Sequence, residues 1–222
     1  MCGRFTLTGD PSQVDDEFAG VDFPAQFAPR YNIAPSQPVL TIANDGKNVA
    51  SFMVWGLIPS WAKEPSIGSR LINARGETIA EKPSFKNSFK YKRCLILADG
   101  FFEWKSQGGG AAKIPYFVHL KSRRPFALAG LWAEWHGADA APTRTCTIVT
   151  TAPNELMASI HTRMPVILQA NERSEWIDPS PRLPDSLAHL IRPLPTELMQ
   201  AYPVSTLVNS PANDRAECIL PA

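Results

Sequence analysis

Cys2 offers the most distinctive chemistry in this chain. It directly follows Met1, and an initiator-trimming aminopeptidase accepts a small second residue. With Met1 gone, Cys2 would present a free α-amine and a thiol on neighbouring carbons, a pair that no internal residue has. An α-amine titrates near ~7.7–8.0 and a thiol near ~8.5, so a useful fraction of each is nucleophilic at neutral pH. The amine condenses with an aldehyde to a Schiff base, and the adjacent thiol can close on it as a five-membered thiazolidine. Position alone equally admits a plainer reading, in which Cys2 packs as a small hydrophobe.

Three other segments set polar groups among apolar ones. Leu71-Ile72-Asn73-Ala74-Arg75 alternates an amide and a guanidinium after an apolar pair. Asp99-Gly100-Phe101-Phe102-Glu103-Trp104 places a carboxylate between bulky aromatics. In Ile160-His161-Thr162-Arg163-Met164-Pro165 a histidine and an arginine immediately precede a strand. A glutamate so flanked is either on the polar face of a sheet or a desolvated carboxyl with a raised pKa, suited to moving protons near neutrality. Strand alternation puts Phe101 and Glu103 on one face and Phe102 and Trp104 on the other. A carboxylate on an inward face is costly to bury unless hydrogen-bonded or used. Taken singly, Asn73 reads as a turn former and His161 as a loop residue; periodicity does not say whether these groups meet.

The 222 residues carry a net charge of +1, with 44% hydrophobic and 19% charged residues, the balance of an ordinary globule long enough to bury a core. Lys63 to Arg93 holds eight basic residues (Lys63, Arg70, Arg75, Lys82, Lys86, Lys90, Lys92, Arg93) against three acidic ones (Glu64, Glu77, Glu81). That segment is +5 and the rest of the chain −4. Phe85, Phe89 and Tyr91 interleave with the charges, a mixture that suits a single-stranded nucleic-acid groove. It equally suits a solvated basic face whose aromatics turn to the core.

These groups must be positioned by short elements, because 21 prolines spread along the chain break long helices. Strands are expected at 49–55, 94–98, 101–105, 116–120, 126–132, 145–150, 165–168 and 204–208. Short helices are expected from Asp10-Pro11 to about Phe18 and at 77–80, 154–159, 171–177 and 185–191. The Gly108-Gly109-Gly110 run reads as a hairpin loop between Lys105 and Pro115. The expected architecture is α+β: one domain over 1–222 with an antiparallel, barrel-like β core flanked by short helices. Cys2, Cys94, Cys146 and Cys218 are scattered, so thiols are expected, and neither a metal nor an organic cofactor is. No apolar run spans a bilayer and no signal peptide is evident, so the expected setting is the cytoplasm, without a membrane.

Taken in order, Met1-Cys2-Gly3-Arg4-Phe5, Arg30-Tyr31-Asn32-Ile33-Ala34-Pro35, Trp55-Gly56-Leu57-Ile58-Pro59-Ser60-Trp61, Leu71-Ile72-Asn73-Ala74-Arg75-Gly76-Glu77-Thr78, Asp99-Gly100-Phe101-Phe102-Glu103-Trp104 and His161-Thr162-Arg163-Met164-Pro165 resemble the signature blocks of the SOS response-associated peptidase family. The tail from Val204-Ser205 to Asn213 resembles its last block, so the likeness covers nearly the whole chain. It implies a barrel-like β core, a positively charged channel for single-stranded DNA, and covalent crosslinking to abasic sites, whose open-chain sugar bears an aldehyde at C1′. On the matching positions, Cys2 would be the nucleophile and Asn73, Glu103 and His161 its supporting residues. Arg4, Arg75 and Arg163 would contact phosphates, with Lys82 in the basic segment, and Trp61 and Trp104 would stack or wedge against bases. Some members carry two adjacent tryptophans where this chain has Trp61-Ala62.

Three readings follow. The first is a monomeric crosslinking enzyme acting on abasic single-stranded DNA, with recognition that depends little on sequence. The second is a thiol peptidase using Cys2, His161 and Asn73, whose main act is releasing Met1. The third is a non-covalent reader of modified DNA.

Overall fold

Short hairpins dominate the chain, as its proline content requires. The computed structural model describes residues 2–137 and 141–222. In chain order its elements are β1 (Arg4–Leu7), α1 (Pro11–Glu17), β2 (Arg30–Ile33), β3 (Pro38–Ala43), β4 (Ala50–Trp55), β5 (Asn73–Arg75), α2 (Lys86–Tyr91), β6 (Arg93–Ala98) and β7 (Gly100–Lys105). There follow β8 (Ile114–Leu120), β9 (Phe126–Trp135), β10 (Thr143–Thr151), α3 (Glu155–Ala158), β11 (Met164–Pro165), β12 (Ile167–Leu168), α4 (Ala170–Trp176), α5 (Pro184–Leu187) and β13 (Met199–Pro203).

Strands β4, β3, β6, β9 and β10 pair in that order, and β10 returns to β4, closing a five-stranded barrel. The closing pairing is parallel, with Thr145 opposite Val54 and Cys146 opposite Trp55. β10 also carries β5 in parallel and β11 antiparallel, so three neighbours hang on one strand besides β9. A second, antiparallel sheet runs β13-β8-β7-β1-β2. One face of it joins the barrel core, where Cys2, Phe5, Phe101 and Val118 pack with Trp55, Ile148 and Met164. The other face forms a smaller cluster of Phe102, Phe117, Val204, Val208 and Cys218. The α+β class with a barrel-like core is therefore the observed one, and the glycine run forms the β7–β8 loop, with positive φ at Gly108, Gly109 and Gly110.

Several boundaries differ from the expected ones, each for a local reason. The expected strand at 204–208 lies instead at Met199–Pro203, because Ser205 accepts from Leu207 N and caps a 3-10 turn over Thr206–Asn209. The stretch 165–168 splits at Val166, which leaves one pairing partner and joins another: β11 pairs with β10, β12 with β9. The helix expected at 77–80 is a 3-10 turn, Gly76–Thr78, and 185–191 divides into α5 and a 3-10 turn at Ala188–Leu190. β1, β2, β3 and β5 and helix α2 had no clear signal in the sequence pattern. Gly56, at φ 129°, lies so close to Gly68 that a Cβ would meet its carbonyl oxygen at 2.7 Å. That contact draws the two ends of the 57–67 loop together.

The basic segment is not one surface. Arg93 is wholly buried, and its guanidinium donates to the carbonyls of Trp176 (2.8 Å), Phe89 (3.0 Å), Lys90 (2.7 Å), Asp178 (2.6 Å) and Ser180 (3.1 Å). Phe85 and Phe89 are buried as well, leaving Tyr91 as the exposed ring. Arg93 thus binds α2 to the end of α4 and belongs to the interior. Arg93→Ala should lower stability in urea by about 3–5 kcal/mol, because several buried carbonyls lose their donor together. Arg93→Lys should recover only part of that, since an ammonium has three donors; a full recovery would show that charge alone matters at this position.

Candidate functional site

Four polar residues meet where the two sheets face each other. Cys2 lies just ahead of β1, fully buried, and its Sγ donates to Arg4 O at 3.8 Å. The three-residue strand β5 brings Asn73 to it, because Asn73 pairs with Ile148 on β10, and Asn73 Nδ2 donates to Cys2 O at 2.9 Å. The Asn73 side-chain Oδ1 is buried and accepts no hydrogen bond among the described residues. Glu103, 2% exposed, projects from β7 on the same face as Phe101, as strand alternation requires. His161 follows α3, and its Nε2 lies 4.0 Å from Glu103 Oε2.

The electrostatics follow from burial. Desolvation raises the Glu103 carboxyl above the ordinary glutamate range. Desolvation, and then the Glu103 carboxylate, push the Cys2 thiol far above the usual thiol range. At rest Cys2 is therefore a thiol rather than a thiolate. The arrangement is a desolvated carboxyl with a raised pKa, a neutral thiol, and an amide oxygen with no donor among the described residues, all within one crevice. It suits proton transfer at the oxygen and nitrogen atoms around a reacting carbonyl better than direct attack by sulfur.

Two arginines flank this crevice through their shared partner Thr150. Arg75 is opposite Thr150 in the β5–β10 register and exposed, and its side chain makes no hydrogen bond or salt bridge among the described residues. Arg163 donates to Thr150 O at 2.8 Å and forms a two-pronged pair with Glu77, Nη1 to Oε1 at 2.5 Å and Nη2 to Oε2 at 2.8 Å. Arg163 in turn keeps Glu77 ionised, since its hydrogen bond lowers the Glu77 pKa. Glu77 was not among the residues expected at the site. It is two residues from Arg75, but its link to Arg163 depends on β5 and β11 both pairing with β10, which spacing does not reveal.

Trp61, 58% exposed, stands in the loop after β4, and Lys82 is exposed between Arg75 and α2. The structure does not bring Arg4 and Trp104 to Cys2. Arg4 is opposite Phe102 in the β1–β7 register, so it shares the far face of the sheet with Phe102 and Trp104. There its guanidinium donates to Asn32 Oδ1 (2.9 Å), Val208 O (2.7 Å) and Asn209 O (3.1 Å), while Trp104 Nε1 donates to Asn209 Oδ1 at 2.7 Å. Both side chains fasten the C-terminal segment. Among the described residues no group of His, Cys, Asp and Glu could hold a metal ion, and no helix is long and apolar enough to cross a membrane.

Comparison with known proteins places the chain in a family. The family model described as SOS response associated peptidase matches residues 1–211. The chain is 48% identical over 222 residues to the abasic site processing protein YoqW of Bacillus subtilis, covering 99% of each. It is 36% identical over 229 residues to the abasic site processing protein HMCES of Gallus gallus, covering 88% of this chain and 67% of that protein. A crystal structure of a protein from Bacteroides thetaiotaomicron superposes with a TM-score of 0.89 at 28% identity, over the full length of both chains. With matches of this extent, the chain belongs to the SOS response associated peptidase family.

Proposed function

We propose that this protein processes abasic sites in DNA by capturing them covalently in single strands through Cys2, after loss of Met1. The observation that carries the reading is the meeting of Cys2, Asn73, Glu103 and His161 in one crevice between two arginines. The shared designation of the relatives as abasic site processing proteins supports the substrate class.

The chemistry balances without an oxidant or a metal. A proton from the Glu103 carboxyl to the sugar ring oxygen, with loss of the C1′ hydroxyl proton, opens the ring to the aldehyde. The Cys2 α-amine adds to C1′, and water leaves as the imine forms. The thiol then adds across the C=N bond: sulfur bonds to C1′ and its proton passes to nitrogen, by way of Glu103 or His161. A neutral buried thiol fits this order, in which the amine attacks first and sulfur second. It fits a papain-like peptidase less well, since that mechanism needs a thiolate beside an imidazolium. The open Oδ1 of Asn73 is available to orient the new amine or a sugar hydroxyl. Arg75 and Lys82 meet phosphates directly, Arg163 meets one by exchanging Glu77, and Trp61 offers a base-stacking face.

Met1-free protein mixed with a single strand bearing one abasic site should give an adduct that survives denaturation. Cys2→Ala should abolish that adduct and leave affinity for an undamaged strand within about twofold. A stable adduct from Cys2→Ala would remove the thiazolidine from the mechanism.

Arg75→Ala should weaken binding to all single strands alike and reduce the salt slope by about 0.7, one phosphate's worth. Affinity lost on only some flanking bases would point to base reading by Arg75 instead.

Glu103→Gln should slow crosslinking by about 10²-fold or more near pH 7. In the parent, the rate should fall at low pH as the amine protonates, and again as pH rises through the raised Glu103 pKa; the variant should lose the second fall. Stability gives an independent check. The folded state holds the Glu103 proton more tightly than the unfolded chain does, so this contribution is complete below the ordinary glutamate range and is lost as pH rises through the folded pKa. Glu103→Gln should therefore gain stability over the parent in urea as pH is raised through that interval. A constant difference from pH 4 to 8 would mean that Glu103 is not held near its protonated form.

A further inference from the structure

The chemistry at Cys2 requires an aldehyde, not a strand. The groups gathered in the crevice act on the sugar alone: the Cys2 amine and thiol on C1, Glu103 and His161 on its protons, and Asn73 on a hydroxyl. The lesion is defined by the base it lacks, so these groups find the same atoms in an unattached sugar. What such a sugar loses is the pair of flanking phosphates. A pentose 5-phosphate keeps one of them.

The structure has a place for that one phosphate. Asn73 and Arg75 are the two ends of β5, with the buried Ala74 between them. Alternation puts both side chains on one face, with Cα atoms about 6.5 Å apart at ~3.3 Å per residue. Asn73 Nδ2 donates to Cys2 O at 2.9 Å, which fixes Cys2 at the Asn73 end. In an open-chain aldose 5-phosphate six bonds join C1 to phosphorus, and since three bonds of an extended chain span ~3.8 Å, these span about 7.5 Å. A sugar with C1 at Cys2 therefore carries its phosphate to Arg75. The Arg75 side chain is exposed and makes no hydrogen bond or salt bridge among the described residues, so its planar fork is open to a phosphate. Glu77, the carboxylate on which the Arg75 charge also acts, is matched by Arg163, which lessens its repulsion of an incoming anion. The buried Asn73 Oδ1 accepts no hydrogen bond among the described residues. Ring opening turns the ring oxygen into the C4 hydroxyl, a donor that this oxygen can accept from.

We propose that unattached aldose 5-phosphates are a second substrate class of this site: they bond covalently to Cys2 with their phosphate on Arg75, and while bonded they block capture of DNA. The proposal rests on the reading of Cys2 as the crosslinking residue. The step balances without a further reactant. The amine adds to C1, water leaves as the imine forms, and the thiol adds across C=N with its proton passing to nitrogen. The product is a thiazolidine, heavier than the protein by the sugar phosphate less one water. A strand brings a phosphate on each side of the lesion and the small sugar brings one, so the small sugar competes through its concentration.

The test compares 2-deoxyribose 5-phosphate with 5-O-methyl-2-deoxyribose, which is uncharged and, like the phosphate, cannot close a six-membered ring. Each is incubated with Met1-free protein, and the adduct is followed by intact-protein mass spectrometry. The peptide Cys2-Gly3-Arg4-Phe5 gives the same comparison without a folded site. The protein should react with the phosphorylated sugar about tenfold or more faster than with the methylated one, and the peptide with both within about twofold. Arg75→Ala should bring the ratio in the protein down to that of the peptide. Protein converted fully to the adduct should no longer crosslink to an abasic strand. A ratio no greater than the peptide's, a ratio that survives Arg75→Ala, an adduct that leaves strand capture undiminished, or no adduct while strands are still captured overturns the proposal and leaves the crosslinking reading intact. No adduct with either sugar or strand overturns both.

Discussion

Everything at the candidate site depends on the pairing capacity of β10. This one strand takes β9 along its N-terminal half, β4 and β5 in parallel on the other side, and β11 at its end. Each neighbour delivers a different group. β5 sets Asn73 and Arg75, the loop after β4 carries Trp61, and the segment entering β11 holds His161 and Arg163. Thr150 is the point of convergence, opposite Arg75 in one register and opposite Pro165 in the other, with Arg163 donating to its carbonyl. β5 and β11 are too short to be stable on their own, so their positions are set by β10's hydrogen-bonding edges rather than by intrinsic strand preference. The second sheet then needs to contribute only β7 and the residues ahead of β1.

The crevice is held in a state that solvent would not choose. Burial raises the Glu103 pKa and holds Cys2 as a thiol, and the Asn73 side-chain oxygen is buried with no donor among the described residues. The buried carboxyl and the amide oxygen each disfavour the folded state, whereas a neutral thiol buries readily. The surrounding packing of Phe5 on Trp55, with ring centroids 5.1 Å apart, and the Trp55 Nε1 bond to Ile72 O keep the walls in place. Polar groups with open valence inside a rigid apolar frame are the usual arrangement where a site is shaped for a reacting molecule rather than for its own stability.

Much of this architecture was legible in the sequence, and the failures have a common cause. Alternation along Phe101-Phe102-Glu103-Trp104 put Glu103 on the core face, because a strand's two-residue period is a local property. The barrel followed from the many closely spaced strands. Arg93 misleads, since a basic residue beside Lys90 and Lys92 has the pattern of a surface until five carbonyls, from two helices and the segment after α4, close around it. Arg4 and Trp104 are close in sequence to site residues yet on the opposite face of the sheet, where they grip the C-terminal segment. Glu77 and β5 were invisible for the same reason: their positions come from pairings between distant segments, which no local pattern carries.

The order of the chain has a consequence for biosynthesis. Cys2 leaves the ribosome well before the strands that enclose it: β7 lies near residue 100 and β10, which holds β5 against it, near residue 150. At roughly 5–20 residues per second, the N-terminus waits on the order of 10–30 s before its pocket exists. Throughout that interval the first residues are open to processing enzymes and to any small aldehyde in the surroundings. Folding then withdraws them into a crevice between sheets. The long loop closures that slow such a fold therefore keep Cys2 exposed until the barrel closes.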